Sequence, residues 1–308
     1  MRIGINGTGL VRHASPERVA DDVARAEADG FSSYWLAEHI TGGFDALTTL
    51  ALAGLRSPGI ELGTAVIPTY PRHPMVLAGQ AITTNDVIGG RLTLGIGLSH
   101  QSMLAPLGLE YGKPIRHLKE YLSILGPLLA DGTVDFTGEE LSCTATLFKK
   151  PAPPCSIVVA ALGPQALRVA GRLSDGTTLA WVGPKTIRDH IVPTISESAE
   201  KAGRPAPRII ATLPICVTDN PDAIRALAAQ ELSTYVALPS YQAMFEREGV
   251  DGPGDLVIAG SETEVKDRVA DLAEAGVTDF AASEFTPSKD ERARTRAVLV
   301  DIQKDQLA

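Results

Sequence analysis

The sequence predicts an α/β fold in which strands and helices alternate and close into a (β/α)8 barrel. Three observations lead there. Eight short β-rich segments begin near Arg2, Ser33, Ile60, Arg91, Ser156, Thr177, Arg208 and Thr278, and most run into a helical pattern. Five of the seven steps between them span 21 to 31 residues, the length of one strand–helix unit. The strands are nearly continuous apolar runs, as at 60–67 and 156–161, which suits parallel strands covered on both faces. Eight such units in series close a TIM barrel. An open doubly wound sheet would need a dinucleotide fingerprint, and neither candidate completes one. Arg12 stands where a third glycine would follow Gly7-Thr8-Gly9, and His100 where one would follow Gly95-Ile96-Gly97.

The elements follow in order. Ser15-Pro16 caps a first helix whose buried face is Val19, Val23 and Ala26, and Gly30 ends it. The second strand, 33–37, ends in Glu38-His39, and a helix with Leu47, Leu50 and Ala51 comes next. The third strand ends at 64–68 and leads through Tyr70 to Pro71-Arg72-His73-Pro74. The fourth ends in Gly95-Ile96-Gly97-Leu98-Ser99-His100. Leu118, Tyr121, Leu122, Leu125 and Leu129 then mark one helical stripe. The long step after the fourth strand holds an insertion at 131–153, read as a strand pair at 134–136 and 141–148. The fifth strand turns at Leu162-Gly163-Pro164 into a helix, and Trp181 closes the sixth. The long step after the seventh strand holds a second insertion, 219–260, with helical stretches at 221–235 and 241–248. Ser261 and Glu264 form a capping box ahead of Val265, Val269 and Leu272, and Gly276 ends that helix. The whole chain, 1–308, reads as one domain.

Composition narrows the function classes. With 44% apolar and 21% charged residues the chain is globular in type rather than disordered. Its net charge of −9, with Lys and Arg scattered, excludes a basic nucleic-acid stripe. No apolar run is long enough for a transmembrane helix, and the N-terminus enters a strand pattern too early for a signal peptide. Cys143, Cys155 and Cys216 are isolated, which argues against a zinc knuckle or a disulfide framework and fits the cytoplasm. No His, Cys or carboxylate cluster has metal-ligand spacing, so no metal is expected.

In a barrel of this kind the chemistry sits at the C-terminal ends of the strands. His39, His100 and Trp181 fall there, and together they suit proton transfer beside a flat aromatic ligand. His13, His117 and His190 lie near helix starts or on polar faces and are read as structural, and His73, between prolines, as loop packing. Leu162-Gly163-Pro164 leaves backbone amides open at a helix start, which is either a phosphate site or a bare turn.

These strand-end segments, taken together, resemble the bacterial luciferase-like superfamily over essentially the whole chain. Within it they resemble the coenzyme F420-dependent oxidoreductase branch related to methylenetetrahydromethanopterin reductase. The residues that carry the resemblance are Trp35-Leu36-Ala37-Glu38-His39, Gly63-Thr64-Ala65-Val66, Pro71-Arg72-His73-Pro74, the run from Gly90 to Gly97, and Ala160-Ala161-Leu162-Gly163-Pro164 followed by Ala170-Gly171 and Asp175-Gly176. The resemblance implies a homodimeric barrel that binds F420 at its mouth, with FMN as the alternative cofactor. It implies a cis peptide in a bulge at Ala65-Val66 behind the deazaflavin ring. It assigns cofactor contacts to Thr64, Ala65, Val66, Gly97, Leu162, Gly163, Pro164 and Trp181, and catalytic roles to His39 and His100. The implied activity is hydride transfer between deazaflavin C5 and a small organic substrate: an imine, an activated alkene, or a carbonyl/alcohol pair. The alternatives are an FMN-dependent two-component monooxygenase and a flavin-binding barrel without turnover. Some sugar-phosphate-oxidising relatives carry a carboxylate where this chain has His100, which argues against that reaction here.

Overall fold

In the computed structural model, which describes residues 1–12, 14–40, 42–149 and 151–305, each of the eight segments forms a strand. These are β1 (Arg2–Asn6), β2 (Ser33–Leu36), β3 (Glu61–Thr64), β4 (Leu92–Gly97), β5 (Ser156–Val159), β6 (Gly176–Ala180), β7 (Arg208–Thr212) and β8 (Asp279–Glu284). Each pairs in parallel with the next. β1 pairs with β8 from Arg2↔Asp279 to Ile5↔Ala282, and this closes the barrel.

Strand alternation decides what each residue does. Ile3, Ile5, Tyr34, Leu36, Leu62, Leu94 and Ile96 pack into the layer between barrel and helices, with Val19, Leu50 and Leu77. Trp35, Val158, Ile210 and Ala281 meet one another inside the barrel. Gly63 faces the Trp35 ring so closely that a Cβ would lie 2.2 Å from it, so only glycine leaves room for the indole. At the N-terminal end of the strands the interior turns polar. Arg208 reaches Glu61 and Asp279, each at 2.9 Å, and Arg2 reaches Glu61 at 2.7 Å and also Asp279. Two cations and two carboxylates balance, so the charges taken out of water are all paired.

Local chemistry starts the helices. Ser15 accepts from the Arg18 amide ahead of Pro16–Ala28, and Asp45 from the Thr48 amide ahead of Ala46–Arg56. The capping box of Ser261 and Glu264 is reciprocal, as predicted. The first insertion is an antiparallel hairpin, Thr133–Thr137 with Ser142–Thr146. Glu120, from helix Pro114–Ala130, pins it by accepting from the amides of Glu139, Glu140 and Leu141 at 2.8–3.0 Å. The second insertion departs from its reading as helices alone. The stretch 221–235 breaks at Leu232 into Pro221–Glu231 and Ser233–Val236, and Pro239–Glu248 follows. The insertion ends in a short strand, Ile258–Gly260, on Pro214–Val217, which in turn pairs with the end of β8. Three residues are too few for an apolar run to announce a strand. The three cysteines are free. Among the described residues no helix is long and apolar enough to cross a membrane.

Candidate active site

The wall of the mouth is built where β3 breaks. Gly63 pairs with Thr93 and, past the break, Ile67 with Ile96, so β3 carries one more residue than β4 over the same stretch. The bulge contains Ala65-Val66, joined by a cis peptide bond at the position the resemblance implies. Ala65 packs against the Trp35 layer. Val66 lies against Gly97, where a Cβ would stand 2.6 Å from Val66 and 3.3 Å from Ala160. Small residues on three neighbouring strands therefore leave a smooth face. Thr64 does not share it. Its hydroxyl is buried, donating to the Gly95 carbonyl and accepting from the Gly95 amide, both at 2.8 Å, so it braces the wall from behind.

Beyond β5, helix Pro164–Leu173 begins on Gly163, which supplies no side-chain cap. Gly163 is exposed, with open space where a Cβ would project. Buried His190 donates from Nε2 to the Leu162 carbonyl at 2.9 Å and fixes this turn from below. First-turn amides and the helix dipole make such a start suited to an anion. Two other strand ends hold unusual backbone: Ser99 past β4 and Trp181 past β6 take φ of 60° and 58°. Left-handed conformation at non-glycine residues gathers at binding and catalytic sites, where the surroundings enforce it.

Aromatic rings of the second insertion connect the strand ends that carry the histidines. His39 lines a cleft of about 210 Å³ with Ser102 and Met103, two and three residues past His100, and with Glu231, Tyr235 and Leu238 of the second insertion. Tyr235 lies 5.4 Å from the Trp181 ring and 5.3 Å from Tyr241, and Tyr241 lies 5.7 Å from His100. His39, His100 and Trp181, from three separate strand ends, thus share one mouth. Burial holds the His100 imidazole below its ordinary pKa.

Other residues take different roles from those their sequence positions suggest. His117 and His190 are buried rather than on polar faces. His117 stacks on Tyr70 at 4.0 Å with Nε2 3.1 Å from the Thr69 hydroxyl, and burial lowers its pKa to about 4. His73 is a helix cap, its Nδ1 accepting from the Met75 amide at 3.2 Å. His13 lies outside the described residues. Glu38 is clamped by Arg72 and by the Ala46 amide at 3.1 Å, while Arg72 also holds Asp45 at 2.7 Å. The Tyr70 hydroxyl donates to the Tyr111 carbonyl. Neither Glu38 nor Tyr70 is therefore poised as a proton donor at the cleft. Sequence reasoning did not single out Tyr235 or Glu231 as site residues, since both sit in an insertion with no strand end to mark them. Among the described residues no group of three or more His, Cys, Asp or Glu could hold a metal ion.

Comparison with known proteins finds relatives by sequence and by fold. The sequence model of the luciferase-like monooxygenase family matches residues 4–279. An F420-dependent glucose-6-phosphate dehydrogenase from Nakamurella multipartita is 31% identical over 254 residues, covering 78% of this chain and 74% of that protein. A 5,10-methylenetetrahydromethanopterin reductase from Methanolobus tindarius is 26% identical over 302 residues, covering 89% and 92%. The solved structure of the coenzyme F420-dependent tetrahydromethanopterin reductase from Methanopyrus kandleri superposes with a TM-score of 0.83 at 22% identity, covering 100% of this chain and 99% of that one.

Proposed function

The chain belongs to the luciferase-like monooxygenase family, and from that premise we propose that it is a coenzyme F420-dependent oxidoreductase. It moves a hydride between deazaflavin C5 and a small organic substrate: an imine, an activated alkene, or a carbonyl/alcohol pair. The observation that carries this reading is the pairing of a smooth wall with an uncapped helix start. Ala65, Val66, Gly97 and Ala160 offer a flat face for the ring, and the amides after Gly163 offer a seat for the cofactor's phosphate. When bound, F420 supplies two-electron hydride transfer and no oxygen activation. The chain's own residues do the rest. Trp181 and Tyr235 cover the mouth and keep water from it. His100, held neutral by burial at neutral pH, takes a proton from an alcohol-type substrate, or passes on one it has taken from solvent in the reverse direction. His39, on the same cleft, is the second candidate for that relay.

The same reading makes the protein a cytoplasmic homodimer. Helices Ala46–Arg56 and Pro74–Val87 leave Leu55, Val76 and Val87 exposed, and Phe148 at the hairpin end is exposed as well. Large apolar side chains left exposed on neighbouring helices suit a surface that a second copy covers.

Titration with F420 and, in parallel, with FMN tests the cofactor. Saturable perturbation of the F420 spectrum, with FMN unable to compete, is the expected result. Stoichiometric FMN binding without F420 binding would overturn it in favour of the monooxygenase reading.

A further inference from the structure

A carboxylate of this chain already occupies a second helix start at the barrel mouth. β6 leads through Trp181 and Val182 to Gly183-Pro184, and the chain then runs helical to Lys201 with a π turn over Ile187–Ile191. This start repeats the Gly-Pro signature of Gly163-Pro164 one strand away, but its amides are taken. Lys185 N donates to Glu248 Oε1 at 3.2 Å, and Thr186 N donates to Oε2 at 2.7 Å. Gly183 lies flat against the same group, where a Cβ would stand 2.3 Å from the Glu248 carboxyl carbon.

Glu248 is the last residue of helix Pro239–Glu248. A negative charge there faces the negative end of its own helix, an unfavourable place that the positive start of the facing helix offsets. Met244 and Phe245 of the same helix are buried, the Met244 carbonyl accepts from the Thr186 hydroxyl at 3.4 Å, and Tyr241 reaches His100. The helix that carries Glu248 is therefore packed down at several points, which keeps its carboxylate beside the Gly183 start.

We propose that Glu248 is a specificity-determining residue: its carboxylate fills the anion position at Gly183–Thr186, so the mouth admits substrates with no phosphate or carboxylate held there. This rests on the mouth being the substrate site, as proposed above. A phosphate seated on the Lys185 and Thr186 amides would have to displace a full negative charge already hydrogen-bonded to both. The Gly163 start, open and uncapped, stays available to the cofactor. Two similar strand ends thus accept different ligands because of one side chain delivered by an insertion.

The test uses the full chain without cofactor and inorganic phosphate as the probe. Phosphate is titrated against the parent, Glu248→Ala and Glu248→Gln, with binding read from 31P NMR line widths and from the thermal midpoint. The alanine variant is expected to bind phosphate at least tenfold more tightly than the parent. Glu248→Gln loses the charge but keeps the size and one acceptor; it is expected to gain about threefold, and it carries the test if the alanine variant does not fold. All three proteins share the Gly163 start, so the difference between them reads the Gly183 start alone. Equal phosphate affinities across the series overturn the proposal. The F420 titration of the parent is a separate measurement, and its failure with the phosphate series intact would fall on the cofactor reading instead.

Discussion

At the scale of single residues, histidines of one chemistry are put to different uses by their surroundings. His39 opens onto the cleft, His100 lies against Tyr241 beside it, His73 caps a helix, and His117 and His190 are built into the packing. If His100 or His39 relays the substrate proton, replacing it by Ala lowers turnover by about 10²–10⁴-fold, the usual range for general acid–base catalysis, with F420 affinity nearly unchanged. Steady-state rates beside F420 titrations check this, and parent rates in both variants would end the relay idea. His117 carries a prediction about stability. Its folded pKa of about 4 lies below the ordinary value of about 6.5, so between those two pH values the unfolded chain binds a proton that the folded chain does not. The stability it contributes is complete above pH 6.5 and is lost as pH falls toward 4. Denaturant midpoints from pH 7 to 4 should therefore fall less steeply for His117→Gln than for the parent. Equal slopes would contradict it.

At the scale of elements, strand ends and the first turns of the helices after them carry the site, and their signals differ in strength. Gly163-Pro164 was legible as an open helix start because Gly before Pro leaves no capping side chain. Its backbone is extended (φ −77°, ψ 153°), a conformation any residue adopts, so Gly163→Val puts bulk over the amides without backbone strain. F420 affinity should fall at least tenfold while the thermal midpoint moves little, and calorimetric titration beside a melting curve separates the two. A large loss of stability would mean the glycine serves the fold instead. The Ala65-Val66 bulge was readable only through the resemblance, since nothing in Gly-Thr-Ala-Val distinguishes it from an unbroken strand. The meeting of Tyr235 and Tyr241 with the strand ends was not readable. Tyr235 and Tyr241 sit in an insertion whose placement depends on Met244 and Phe245 packing down and on Glu248 finding the helix start after β6.

At the scale of the whole molecule, eight apolar segments separated by helical patterns have few ways to pack, and β1 pairing with β8 is the one that leaves no open edge. The exposed apolar residues on Ala46–Arg56 and Pro74–Val87 predict a dimer burying well above ~1,000 Å² in total. Light scattering at micromolar concentration is expected to give twice the 32.5 kDa chain mass, and Val76→Glu to shift it toward the monomer. A parent that scatters as a monomer would refute the dimer. What the sequence determined by itself was local or periodic: the eight strands, the capped helices, the hairpin, and the strand ends at which to look. Periodicity and capping act over a few residues, so they can be read along one chain. Tertiary structure alone decided which histidines meet the cleft, that Glu38 belongs to an Arg72 clamp, that four charges pair beneath Trp35, and that Glu248 closes one of two similar helix starts. Each of these joins groups tens to hundreds of residues apart, and such contacts form only when the closed barrel brings its strand ends and insertions into the same few ångströms.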